Sequence, residues 1–235
     1  MNLPVRPPYI LFDAAHTLID VRWAPARFAV ECAQAVGLPA SEAEGDVYQS
    51  MLRSRWSLYR EINLTRDPKA GDSFWDDLTS DWMSHCRWPM DVGRFMEEAR
   101  QRLYDTREYF DVFPDVIPTL QELKRLGVRM GILSNWDYSL HRIVAGLGLT
   151  EYFDVVIASL EEGPEKPDPA LFEIALKRIG AKKSEIVHVG DSPIDDFQGA
   201  RGFGIGALLI DRSQSSTGIY ISSLSDIPKV LGWTS

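Results

Sequence analysis

Tyr9-Ile10-Leu11-Phe12-Asp13-Ala14-Ala15-His16-Thr17-Leu18-Ile19-Asp20 is the stretch on which the reading of this chain turns. Tyr9 to Phe12 form a short unbroken apolar run, the pattern of a strand buried on both faces, which is how strands of parallel sheets read. Asp13 follows at once, so a carboxylate stands where the strand stops.

The C-terminal half carries further short apolar runs, alternating with helical patterns. Pro114 suits the first turn of a helix through Leu120 and Leu126, and Gly127 suits its end. Val128 to Leu133 reads as a strand closing on Ser134-Asn135, and a helix from Tyr138 to Leu147 ends at Gly148. Val155 to Ala158 is a strand, a polar loop carries Glu165, Lys166 and Pro167, and Ala170 to Ile179 is helical. Ile186 to Val189 is a strand ending at Gly190-Asp191, and Ala207 to Ile210 is the last, ending at Asp211. Strands alternating with helices predict an α/β fold with a parallel, doubly wound sheet.

Between about Pro25 and Thr106 the period changes to helical: Phe28, Cys32 and Ala35 share a face, then Val47, Met51, Leu52 and Trp56, then Trp75, Leu78 and Trp82. Five of the seven tryptophans lie between Trp23 and Trp88, which suits the core of a separate helical unit. Asn63 to Asp72 is polar and holds Pro68 and Gly71, so it reads as a loop. No repeats or low-complexity tracts occur.

Composition bounds the function. The 235 residues exceed the usual single domain, and 45% hydrophobic with 25% charged residues is a globular balance. A net charge of -9 argues against generic binding to nucleic acid or anionic membrane, since phosphate polymers are repelled at long range. Cys32 and Cys86 make no disulfide framework and read as reduced thiols. No segment approaches the roughly 18 apolar residues of a membrane span, and the first residues lack a signal-peptide core, so a cytoplasmic protein is expected.

Asp13, Ser134-Asn135, Lys166 and Asp191 all fall at or soon after the C-terminal end of an expected strand. In open parallel sheets ligands bind in the crevice at those ends. Carboxylates, a hydroxyl with an amide, and a lysine suit an anionic substrate held with a divalent cation. Asp13 and Asp191, with Asp195 or Asp196, offer the oxygen ligands that Mg2+ prefers. Lys166 and Ser134 suit the non-bridging oxygens of a phosphoryl group, which leaves Asp13 as nucleophile.

These motifs, in this order, resemble the haloacid dehalogenase-like (HAD) hydrolase superfamily. FDAAHTLI (12–19) resembles its nucleophile motif, ILSNW (132–136) its Ser/Thr motif, EKPDPALF (165–172) its lysine motif and HVGDSPIDDFQGAR (188–201) its acidic motif. The combination is most similar to the rhythmically-expressed-gene-like branch. The resemblance implies a Rossmann-like core, 1–22 and 107–235, with strand order 5-4-1-2-3, and an inserted helical cap, 23–106, that closes over the pocket and sets specificity. It further implies Mg2+ held by Asp13, the backbone carbonyl of Ala15, Asp191 and Asp196, with Asp195 left to cap the helix that follows. Asp13, Ser134 and Lys166 would be catalytic, and Thr17, Asn135 and His16 would meet a small phosphorylated substrate.

One departure stands out. Phosphatases of the superfamily carry an aspartate two residues after the nucleophile, as leaving-group acid and then as base, where this chain has Ala15. A methyl group transfers no proton, and such assistance is worth about 10² to 10⁴ in rate. A slow phosphatase is therefore expected, with His16 either substituting as acid or simply tolerating a left-handed backbone. The alternatives are a phosphate- and metal-binding protein without turnover, and a 2-haloacid dehalogenase; against the latter, Asp191 and Phe172 depart from that group's pattern. Members acting on phosphonates use a cap lysine, and the cap offers only Lys69, in the expected loop. The cap arginines Arg53, Arg55 and Arg60 read as a charged helix face or as anion selectors. Monomer and homodimer stay equally open.

Overall fold

All four residues of Tyr9–Phe12 are buried, as a strand covered on both faces requires. In this computed structural model, which describes residues 3–89, 91–104, 106–213 and 219–233, the strands are β1 (Tyr9–Phe12), β2 (Ile19–Val21), β3 (Phe110–Val112), β4 (Arg129–Ser134), β5 (Val155–Ala158), β6 (Ile186–Gly190), β7 (Gly206–Ile210) and β8 (Tyr220–Ile221). The chain divides into two compact units, Met1–Val21 with Asp111–Ser235, and Arg22–Phe110. β2 and β3, where the chain passes between the units, pair as a two-stranded ribbon.

The first unit is built on a six-stranded sheet, ordered β5-β4-β1-β6-β7-β8, and its five strand pairings are all parallel. Counting β1, β4, β5, β6 and β7 as one to five gives the expected order 5-4-1-2-3. The chain builds outward from β1 through β4 to β5, then returns to the other side of β1 with β6. That reversal makes a switch point at the C-terminal end of β1, where open sheets bind ligands. Register sharpens the placement: Phe12 is level with Ile132 of β4 and with Val189 of β6. Asp13, Ser134 and Asp191 must therefore emerge at one sheet edge. Leu11, Leu133, Ile157, Leu171, Phe172 and Ala207 belong to one buried cluster beneath them.

The helices are α1 (Pro25–Ala35), α2 (Glu42–Ser54), α3 (Trp56–Thr65), α4 (Pro68–His85), α5 (Val92–Tyr104) and α6 (Thr106–Tyr109), then α7 (Val116–Arg125), α8 (Ser139–Gly146), α9 (Ser159–Glu162), α10 (Pro169–Ile179), α11 (Gly199–Phe203) and α12 (Ile227–Val230). Gly127, at φ +78°, supplies the left-handed residue beyond α7 that a side chain would disfavour. Asp168 caps α10 by accepting from the Ala170 N–H, 2.8 Å, with Pro169 behind it.

Three expectations are corrected. The sheet does not end at β7, because Tyr220–Ile221 adds a parallel edge strand too short to show a periodic pattern. The polar segment 63–72 is no loop: α3 continues to Thr65 and α4 starts at Pro68, with only Arg66 and Asp67 between them. Pro68 there occupies the first helical turn, where a missing N–H costs nothing, and Asp67 accepts the Lys69 N–H at 3.0 Å as N-cap. Lys69 consequently lies in the first turn of α4.

The tryptophans form the third case. Trp82 is fully buried, donates its indole N–H to Glu44 O at 2.8 Å and packs edge-on against Tyr48, Trp88 and Phe95. Trp56 is exposed, and Tyr59, Phe74, Leu78 and Met83 fill the core of the second unit instead. In α1 the buried stripe is Phe28, Ala29, Cys32 and Ala33, with Ala35 turned outward. Cys32 and Cys86 are free thiols, and no described helix is long and apolar enough to cross a membrane.

Candidate active site

Every residue of the expected site lies in the first unit. Asp13 leaves β1 with its N–H on the Val189 carbonyl, 2.8 Å, so the strand ladder itself aims the residue. The residue is 6% exposed, and its Oδ1 accepts from Lys166 Nζ at 2.6 Å and from Ser134 Oγ at 2.9 Å. Oδ2 accepts nothing from the described residues. The lysine reaches this point from the loop before α10, and its Nζ also donates to Asp196 Oδ1 at 2.5 Å. Asn135 secures that loop, its side chain donating to Lys166 O at 2.9 Å and accepting from Lys166 N at 2.8 Å. Asn135 thus acts on the lysine backbone.

Asp196 is 1% exposed, while Asp195 is only half-buried and turns back toward Ser192. The turn Pro193–Gln198 is π-helical, a form common at functional sites. Ser192, not Asp195, is its cap, accepting the Asp195 N–H at 3.1 Å. Asp196 is held from three directions: Lys166 Nζ, His188 Nε2 at 2.8 Å, and the Ser192 N–H at 3.0 Å. Gly190 makes room for it. A Cβ built on Gly190 would lie 2.1 Å from Asp196 Cγ, a separation no non-bonded pair adopts, so glycine is a steric requirement here.

The loop after Asp13 is tight. The Leu18 and Ile19 N–H groups both donate to Ala14 O, and the Thr17 N–H to Ala15 O at 2.6 Å. His16 is exposed and left-handed, φ +55°, a conformation histidine tolerates better than bulky residues do. Thr17 is fully buried, and its Oγ1 donates to Asp191 Oδ1 at 3.4 Å. In the second unit, Arg55 pairs with Asp81.

One ligand oxygen from each of Asp13, Asp191 and Asp196 lies within 4.8 Å of the others. Their charges are unequally supported. Burial acts first on Asp13 and Asp196 adds to it, so Asp13 titrates above the usual carboxylate range despite Lys166. Burial also opposes the charge on Asp196, but Lys166 and His188 outweigh it and hold that group below the usual range. Lys166 itself is 4% exposed; burial pulls it down, yet Asp13 and Asp196 more than offset this, and it stays charged. Asp191 is pushed up to about 6, by burial and then by Asp13 and Asp196. Beyond the Lys166 charge that both share, Asp196 has a hydrogen bond to His188 that favours its ionised form, and Asp13 has none to that ring.

Three carboxylates with one ammonium leave negative charge in excess. Hard oxygen donors at this spacing fit a divalent cation such as Mg2+. Two members of the site went unassigned in the sequence, His188 and Gly190. A histidine inside a strand buried at all five positions is a polar exception, which was the available signal. Nothing in sequence spacing reveals the Gly190 contact, because it depends on where the π-helical turn carries Asp196.

The profile of the haloacid dehalogenase-like hydrolase family matches residues 9–204. A haloacid dehalogenase-like hydrolase domain-containing protein 3 from Danio rerio is 30% identical over 216 residues, covering 90% of this chain and 87% of its own. A phosphoserine phosphatase of Thermus thermophilus is 30% identical over 175 residues, 74% of this chain and 68% of its own. Among solved structures, a 2-haloacid dehalogenase from Pseudomonas syringae superposes with a TM-score of 0.68 at 27% identity, covering 98% of both chains.

Proposed function

The chain belongs to the haloacid dehalogenase-like hydrolase family, and on that premise we propose that it is a Mg2+-dependent phosphatase acting on a small phosphorylated compound in the cytoplasm. The observation that carries the reading is Asp13, one oxygen held by Lys166 and Ser134 and the other open, beside Asp191 and Asp196. In this mechanism the open carboxylate oxygen attacks phosphorus, the bond to the leaving oxygen breaks, and an acyl phosphate forms on Asp13. Lys166 and Ser134 neutralise and hydrogen-bond the phosphoryl oxygens. Water then attacks the acyl phosphate, releasing phosphate and restoring the carboxylate.

Asp13, Asp191, Asp196 and the Ala15 carbonyl would hold the cation, which when bound offsets carboxylate charge and polarises a phosphoryl oxygen. Thr17 supports Asp191 through its hydroxyl, and Asn135 supports Lys166 through the backbone. His16 and Asn135 are the exposed residues of the site, with open access to a substrate. Ala15 offers no proton to the leaving group and no base to the water, so both half-reactions run on solvent. Esters with good leaving groups are the substrates this site serves best.

The phosphoserine phosphatase relative supports phosphoryl chemistry. The dehalogenase likeness supports a second reading, in which Asp13 displaces halide and no leaving-group proton is needed. Asp191 argues against it, because a third carboxylate facing Asp13 repels a haloacid anion and suits a cation. A third reading, a phosphate- and metal-binding protein without turnover, rests on Ala15 alone. Release of phosphate from p-nitrophenyl phosphate with Mg2+ separates them. Turnover in the wild type, lost in Asp13→Asn, supports the phosphatase. A wild-type rate near zero that appears only in Ala15→Asp supports the binder, and metal-independent halide release supports the dehalogenase.

A further inference from the structure

We propose that Arg212 is a positioning residue that fixes the loop from Asp13 to Ile19, with Asp115 as its anchor. The inference deepens the hydrolase reading above and rests on it. Arg212 lies just past β7, far in sequence from the first motif. One limb of its guanidinium, Nη1, donates to both oxygens of Asp115, at 3.0 and 2.9 Å. The other limb, Nη2, donates to the Thr17 carbonyl at 2.8 Å. The plane lies over Phe113, with Cζ 4.0 Å from the ring centroid. Nε is buried with no hydrogen-bond partner among the described residues.

Asp115 is itself immobilised. Besides Arg212 it accepts from Ser223 Oγ and from the Leu224 N–H, both at 2.8 Å. Its position immediately before α7 ties it to the start of that helix. Arg212 is thus gripped by a fixed carboxylate on one side and presents a fixed donor to the loop on the other. A planar fork can satisfy two such acceptors in set directions; a lysine offers the same charge without the geometry.

The point gripped is the sensitive one. Thr17 has its carbonyl on Arg212 and its hydroxyl on Asp191 Oδ1. Its N–H is on the Ala15 carbonyl, and Ala14 O receives Leu18 and Ile19. Displacing Thr17 therefore shifts Asp191 and the Ala15 carbonyl together, and with them the approach to Asp13. A misplacement of about 1 Å at such a site costs on the order of 10²-fold in rate.

Hydrogen–deuterium exchange of the 13–19 segment, run beside turnover of p-nitrophenyl phosphate, tests the proposal with Arg212→Met and Arg212→Lys. The expected result is exchange in 13–19 faster by about tenfold or more, while β1 and β6 stay protected, and kcat lower by roughly 10- to 100-fold at little-changed KM. Arg212→Lys retains the charge and is expected to keep the melting temperature while losing loop protection, which keeps the test valid if the methionine variant does not fold. The proposal is overturned if Arg212→Lys matches the wild type in both readouts, or if 13–19 loosens no more than the strands. Turnover that survives loop loosening sinks the positioning role alone; a wild type without Asp13-dependent turnover sinks the hydrolase reading and this role with it.

Discussion

Replacing Gly190 by alanine is the sharpest test of how the site is packed. The added Cβ would stand 2.1 Å from Asp196 Cγ, 2.3 Å from its Oδ2 and 2.5 Å from its Cβ. Carbon atoms rest at about 3.5 to 4.0 Å, so the carboxylate must withdraw by roughly 1.5 Å. It has little freedom to do so, because Lys166, His188 and the Ser192 N–H hold it, and β6 is pinned between β1 and β7. Overpacking costs about 1–3 kcal/mol, and one lost hydrogen bond to a charged group about 1.5–3 kcal/mol. We expect a destabilisation of about 3–5 kcal/mol, with Mg2+ affinity lower by about 10- to 100-fold, the usual effect of disturbing a ligand's support. Guanidinium unfolding followed by circular dichroism, with and without Mg2+, reads both. Gly202→Ala is the control: nothing lies within 4 Å of its added Cβ, and within α11 it should gain up to about 1 kcal/mol. If Gly190→Ala unfolds at the same midpoint as Gly202→Ala and keeps the full Mg2+ stabilisation, the steric reasoning is wrong.

Lys166→Met leaves Asp13 and Asp196 buried without their shared cation, a loss of about 3–5 kcal/mol, and Mg2+ should recover more stability in the variant than in the wild type; equal Mg2+ shifts in melting temperature would contradict this. Because Ala15 supplies no base for the second half-reaction, stopped-flow with p-nitrophenyl phosphate should give a burst of about one p-nitrophenolate per protein followed by a slower steady state, and Ala15→Asp should remove the burst; linear release from time zero in the wild type would argue against it. Asp191, pushed up from 3.8 to about 6, binds its proton more readily in the folded than in the unfolded state. Its contribution to metal-free stability therefore falls as pH rises through about 4 to 6, and over the same window Mg2+ affinity should rise as the metal displaces that proton. Calorimetric titration of Mg2+ at pH 5 and 7 checks this, and a pH-independent affinity would refute it.

Much of this was legible from residues alone. The unbroken apolar runs at Tyr9–Phe12 and Ile186–Val189 specify strands buried on both faces, because only a covered parallel sheet removes both faces from water. Once the alternation of strands and helices is granted, Asp13, Ser134, Lys166 and Asp191 must gather at the sheet's C-terminal edge. Local chemistry misled where two readings share the same residues. Pro68 and Gly71 suggested a break, yet Pro68 serves as the first turn of α4, since proline both starts and stops helices according to what precedes it.

Periodicity and strand-end position are one-dimensional properties, so the class of fold and the gathering of charged groups can be read along the chain. It took the folded arrangement to show that Asp196 and not Asp195 enters the cluster, that Thr17 turns its hydroxyl on Asp191, and that Arg212 reaches back to the first loop. Those outcomes depend on the turn of a π-helical segment, on a missing Cβ at Gly190 and on contacts between residues remote in sequence, and such directions are set by packing in three dimensions.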